Sequence, residues 1–260
     1  MYSINSIENK PHAIIFKTIG LMDVDKIINE YIFSIIKNKE TEKKIIENKF
    51  LDIVRIDCHQ HTLKKEEVIN IINKFSRSAQ EKNNKKFYII KNIENASKEA
   101  LNSLLKFLEE PTSNTYAIFT CKNINHVLPT ITSRSQIFNL TSNEQEKHTL
   151  LDRFNLDDEQ RKIIKHIYDD FNLLENDIRN QKFHESYDFF MKLMKKKKNS
   201  EIKKDSDEFK KMDYYQISLI LKILFYYLKK EEVIELIEKI KLNPIKILLF
   251  DKIYKLINEI

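Results

Sequence analysis

Apolar and polar positions follow two rhythms along this chain, and the change between them near residue 140 divides it. From residue 12 to about 140, short apolar runs of strand length alternate with stretches whose apolar residues recur at helical spacing, the pattern of an α/β domain with a parallel sheet. Strands are expected over 12–16, 51–56, 87–90, 116–120 and 136–140. Val24, Ile27, Ile28, Tyr31, Ile32, Ile35 and Ile36 put an apolar stripe on one helix after the first strand. Val68, Ile71, Ile72, Phe75 and Ala79 do the same for a second helix. Ala100, Leu101, Leu104, Leu105 and Leu108 mark a third, with Ser97 placed to cap its start and Pro111 just past its end.

Beyond Asn143 the strand rhythm disappears and helices are expected over 144–153, 158–171, 174–179 and 183–195. The expected organisation is an α/β domain at 1–140, a small helical lid at 141–194, a basic and polar linker at 195–212 and a last helical domain at 213–260. The linker opens on the lysine run 195–198, which reads as a solvated connector, since no aromatic residues are interleaved for base stacking. The final domain has helices over 215–229 and 231–241 and one opened by Asn243-Pro244. The cluster Phe183, Tyr187, Phe189, Phe190 and Leu193 packs the lid.

Composition narrows the function classes. With 42% hydrophobic and 32% charged residues over 260 positions, the chain can build a sizeable core, which excludes disorder over most of its length. The net charge of +6, from 45 basic and 39 acidic residues, permits weak contact with nucleic acid and does not demand it. No run reaches the roughly 20 apolar residues of a membrane span, and the first residues carry no export signal. Two cysteines make no disulfide framework, so a reducing cytoplasm is expected.

The chemistry begins with a shortage. A loop that cradles phosphates needs glycines so that successive N–H groups can close on the anion, and this chain has one, Gly20. Gly20 lies between the first strand and the first helix, where such a loop belongs. If the strand ends at Phe16, as it does in active nucleotide-binding proteins, the motif's lysine and hydroxyl residue would fall near Val24 and Asp25, with Asp23 in place of the last glycine. Carboxylates there suit a helix N-terminus and repel a triphosphate. After the strand at 87–90 stand Lys91-Asn92 in place of the Asp-Glu that would hold Mg²⁺ and polarise water, and Glu94 comes two positions late. No cofactor is expected.

Cys58-His59-Gln60-His61 puts three potential ligands in four residues, with Cys121 the obvious soft fourth. A closed zinc site takes four ligands of suitable geometry, normally from two segments. The expectation is that no metal binds here.

Asn102-Ser103-Leu104-Leu105-Lys106-Phe107-Leu108-Glu109-Glu110-Pro111, followed by Leu128-Pro129-Thr130-Ile131-Thr132-Ser133-Arg134-Ser135, resembles the clamp-loader branch of the AAA+ ATPases, and within it the delta-prime family of bacterial DNA polymerase III. The specific match spans about 86–140; elsewhere the resemblance is one of layout and length. It implies an AAA+ (RecA-like) parallel-sheet domain, a helical lid and a C-terminal helical collar that builds a hetero-oligomer. It implies that Arg134 is an arginine finger acting in trans on a neighbouring ATPase subunit, with Ser133 and Ser135 supporting its segment. The triplet's usual cysteine is Ser135 here, and the four-cysteine zinc module of several relatives cannot be built from two cysteines. Glu109 and Glu110 receive no role. The implied partners are gamma/tau-like motor subunits and a delta-like subunit, with primer–template DNA a further candidate and no membrane.

The reading is thus of a non-catalytic subunit that assists ATP-dependent loading of a sliding clamp. Two alternatives stand beside it: an active ATPase with an unorthodox loop around Thr18, Gly20 and Lys26, and a DNA-binding adaptor that keeps the fold.

Overall fold

Strand β1 (Ala13–Ile19) is buried on both faces, with Ala13 and Ile15 in one apolar cluster and Ile14 and Phe16 in the other, as a central strand's two-residue period requires. The computed structural model describes residues 10–59, 63–75, 79–81, 84–195 and 202–258. Two compact units divide it, Met1–Asn143 and Glu144–Ile260.

In the first unit β1 leads through Gly20, at φ 80°, to α1 (Val24–Ile36), whose N-cap Asp23 accepts the Lys26 N–H at 2.9 Å. Then come α2 (Lys39–Ile46), β2 (Ile53–Asp57), α3 (Lys65–Phe75), β3 (Lys86–Lys91), α4 (Lys98–Glu109), β4 (Thr115–Cys121), the single turn α5 (Pro129–Thr132) and β5 (Gln136–Thr141). Among the described residues the sheet is parallel, ordered β2-β3-β4-β1-β5, which puts β1 inside and β5 at an edge. Residues of α1 and α2 cover one face, and residues of α3, α4 and α5 the other, making three layers around β1, β3 and β4. The five expected strands and the three expected helices are present, though β1 runs on to Ile19, past the expected end at residue 16, and Ala79, expected on the second helix, lies outside α3. Helix α2 was not expected. It is capped by Asn38 and buries only Ile45, so it shows no apolar stripe.

The second unit comprises α6 (Glu144–Leu151), α7 (Asp158–Ile167), α8 (Phe171–Arg179), α9 (Lys182–Lys195), α10 (Ile202–Lys211), α11 (Tyr214–Leu228), α12 (Glu231–Lys239) and α13 (Lys246–Ile257). The helix expected over 158–171 stops at Ile167, because Tyr168 is extended and Asp170 caps α8. The stretch 195–212, expected as a linker, is helical over Ile202–Lys211, while residues 196–201, with most of the lysine run, lie outside the described residues. Asp205, Ser206 and Phe209 form the buried face of α10, and Asp205 is held by Lys192 at 2.8 Å.

Capping boxes at Asp157/Gln160 and Asp213/Gln216 fix the starts of α7 and α11. Helix α11 packs on α9 and α7, with Phe190 and Tyr227 stacked at 5.4 Å. Asp177, 1% exposed, accepts the Tyr168 hydroxyl at 2.7 Å and the Tyr215 hydroxyl at 2.6 Å on the same oxygen. Among the described residues no helix is long and apolar enough to cross a membrane.

With so little glycine, left-handed positions fall to other residues: Lys37 and Lys229 end α1 and α11 at φ 52°, and Asn48, Asn84, Asn92, Asn114, Gln181 and Asn243 also have positive φ.

Candidate functional site

Two places in the first unit carry the sequence's candidate residues. At the C-terminal ends of β1, β2 and β3, where parallel sheets bind ligands, the loop after β1 meets the residues after β3. Asp25, in the first turn of α1, lies 3.3 Å from the Lys91 ammonium, and Lys91 is also 3.3 Å from Asp57. Arg55 approaches Asp25 at 3.9 Å and donates to the Asn29 side chain at 2.6 Å.

Asn92 continues the network. Left-handed at φ 55°, it donates its side-chain amide to Asp57 at 2.8 Å and its backbone N–H to the Thr120 hydroxyl at 3.0 Å. Burial pushes the Asp57 carboxyl up, but Lys91, the His59 N–H at 2.9 Å and Asn92 together outweigh it and hold the group below its ordinary range.

The donor set at this end of the sheet is two carboxylates around one ammonium. In P-loop NTPases Mg²⁺ is held by the loop's hydroxyl residue and a Walker-B aspartate; Asp25 and Lys91, which the sequence reading sets against those two positions, pair with each other here. The other loop candidates do not converge. Thr18 is buried and donates to the Cys121 carbonyl at 3.4 Å, whereas Lys26 is exposed on α1. Glu94 accepts the Lys122 N–H at 2.8 Å with one oxygen, and the other is buried with no hydrogen-bond partner among the described residues.

The second place lies at the opposite end of the sheet. Arg134 lies two residues past α5 and two before β5, whose register places Gln136 beside Ile14 and Thr141 beside Ile19. Arg134 therefore roots near the start of β1, and the Gly20 loop follows its end. The strand has 7 residues, or roughly 20 Å at about 3.3 Å per residue.

Pro129 opens α5 and Ile131 anchors it in the core, after which the Arg134 N–H closes on the Ile131 carbonyl at 3.1 Å. The Arg134 side chain is about one-third exposed, at 34%. Its Nη1 donates to the Thr130 carbonyl at 3.0 Å and the Ser133 hydroxyl at 3.3 Å, and its Nη2 lies 2.5 Å from Glu109. Ser133 also donates to the Thr130 carbonyl at 3.2 Å. The Ser135 hydroxyl is buried with no hydrogen-bond partner among the described residues. Glu109, given no role from sequence, ends α4, which His12 ties to the start of β1 through the Leu108 carbonyl at 3.1 Å. Nothing in the linear sequence marks that pairing, because it is made by the fold.

Cys58 and Cys121 are buried, and burial pushes each thiol up to about 12. Among the described residues no three His, Cys, Asp or Glu side chains could hold a metal ion; Gln60 and His61 lie outside them.

Comparison with known proteins places this architecture. The family described as DNA polymerase III, delta subunit, matches residues 4–144. An uncharacterised Mycoplasma pneumoniae protein, the MG007 homologue, is 31% identical over 192 residues, covering 72% of this chain and 73% of its own. The DNA polymerase III subunit delta' of Bacillus subtilis is 31% identical over 143 residues, 51% of this chain; the match spans 43% of that relative, less than half its length. Among solved structures, a DNA polymerase III gamma subunit-related protein from Thermotoga maritima superimposes with a TM-score of 0.62 at 15% identity, covering 97% of this chain and 95% of that one, a likeness of fold. The α/β unit thus has the AAA+ fold, and the chain belongs to the delta-prime clamp-loader family of DNA polymerase III.

Proposed function

We propose that this chain is a non-catalytic clamp-loader subunit that lends Arg134 to the ATP site of a neighbouring motor subunit. The observation that carries the reading is the position of Arg134, partly exposed and roughly a strand's length, about 20 Å, from the end of the sheet where the Gly20 loop lies. A guanidinium there serves another subunit's phosphate, since its own pocket is out of reach. The Asp25–Lys91–Asp57 network supports the companion statement that this chain's nucleotide site is degenerate. Ser133 and Ser135 shape the finger segment. The partners are gamma/tau-like motor subunits and a delta-like subunit. Residues 141–194 act as the lid and 213–260 as the collar, and the assembly places a sliding clamp on primer–template DNA in the cytoplasm.

The test is Arg134→Ala in the reconstituted loader. Hydrolysis at the adjoining site should fall by roughly three to five orders of magnitude, the range for such fingers, with the isolated subunit's circular dichroism unchanged. Undiminished hydrolysis would refute the finger. Equilibrium binding of labelled ATP to the isolated chain addresses the pocket: Mg²⁺-dependent binding would favour the active-ATPase reading.

A further inference from the structure

We propose that Glu109 is a positioning residue that holds Arg134 in a parked state and so restrains its delivery to the neighbouring site. The inference rests on the finger reading above. The guanidinium has five N–H donors, and both terminal nitrogens are engaged within the chain. Nη1 is used on Thr130 and Ser133, and Nη2 on Glu109. The Thr130 carbonyl is four residues back on the turn from which the arginine springs, so the side chain is folded over α5 instead of extended. Of these contacts, Glu109 alone supplies an opposite charge, and it comes from a different element, α4.

Its strength can be bounded. The Glu109 side chain is about half exposed, at 49%, and that of Arg134 about a third. An exposed pair of this kind shifts a two-state population by at most about fivefold. A phosphate carries more charge than a carboxylate and can take the guanidinium from Glu109 without a large conformational expense. The parked state therefore damps hydrolysis when the interface is loose and yields when it closes. Glu110, next along and exposed, has no such contact among the described residues and serves as the internal control.

Two measurements test this. In the isolated chain, the rate of phenylglyoxal modification at Arg134, read by peptide mass spectrometry, should rise severalfold, up to about fivefold, in Glu109→Gln and stay unchanged in Glu110→Gln. In the reconstituted loader, Glu109→Gln should raise ATP hydrolysis without clamp and DNA by a similar factor, leave the rate with both present within about twofold, and have no effect on top of Arg134→Ala. Glu109→Asp, which keeps the charge on a shorter arm, should fall between. Unchanged labelling in Glu109→Gln overturns the inference whatever the ATPase does. Faster labelling with unchanged basal hydrolysis, in a loader that Arg134→Ala disables, also overturns it. A loader indifferent to Arg134→Ala would sink the finger reading itself, and the restraint on delivery with it.

Discussion

Lys91 and Asp25 face each other 3.3 Å apart across the gap between β3 and α1, and Lys91 is only 14% exposed. Replacing Lys91 by Met leaves Asp25 and Asp57 without their common cation. Both carboxylates are more than a third exposed, so water takes up part of the charge and the expected loss is about 1–2 kcal/mol. Adding Asp25→Asn to Lys91→Met should restore part of it, a non-additivity that urea unfolding of the four proteins would measure. Strict additivity would mean the two groups do not communicate.

The same network has a pH signature. The Asp57 carboxyl is held below its ordinary range in the folded chain, so its stabilising contribution is complete above the ordinary value and is lost as pH falls through the lowered one. Lys91→Met should therefore shrink the acid-side loss of stability, seen as a flatter Tm-against-pH curve below about pH 4. A steeper curve would contradict the assignment of Lys91 as a cause.

The Ser135 hydroxyl, beside Arg134 in sequence, is buried with no partner among the described residues. Removing an unsatisfied buried hydroxyl relieves a desolvation penalty of about 1–3 kcal/mol, less whatever the small void costs. Ser135→Cys or Ser135→Ala should stabilise the isolated chain by about 1 kcal/mol. Differential scanning calorimetry decides; a lower Tm in both variants would show that the hydroxyl is satisfied in solution.

Asp177 behaves oppositely to Asp57. Burial raises its carboxyl above the ordinary value, the hydroxyls of Tyr215 and Tyr168 only partly offsetting this. A raised folded value means that stability is gained as pH falls through it and that the ionised form is a burden at neutral pH. Both tyrosines donate to one oxygen, which an asparagine carbonyl can supply. Asp177→Asn should match or exceed the parent in Tm at pH 7, and its advantage should shrink as pH approaches about 4. An advantage that grows in acid would reverse the sign and refute this account.

Sequence legibility follows burial. Strands β1, β3 and β4 are apolar on both faces and announce themselves as continuous runs, and α1 and α4 as stripes, so the layers of the α/β unit could be read directly. Helix α10 could not, because the face it buries is Asp205, Ser206 and Phe209, and a buried carboxylate paired with Lys192 looks like surface until the partner is known. Arg134 was visible through its neighbours along the chain. Glu109 was not, since only the folding of α4 against the start of β1 brings it there. Asp25 and Lys91 were each legible as departures, but their pairing was not.

The left-handed bends filled by lysine and asparagine have a last consequence. A non-glycine residue in that conformation costs roughly 1–2 kcal/mol, less for asparagine. A protein with one glycine therefore carries a distributed strain at its corners, two of them lysines terminating long helices, at Lys37 and Lys229. Those corners are the natural starting points for fraying, and the cheapest places for an engineer to harden the molecule with Lys37→Gly or Lys229→Gly.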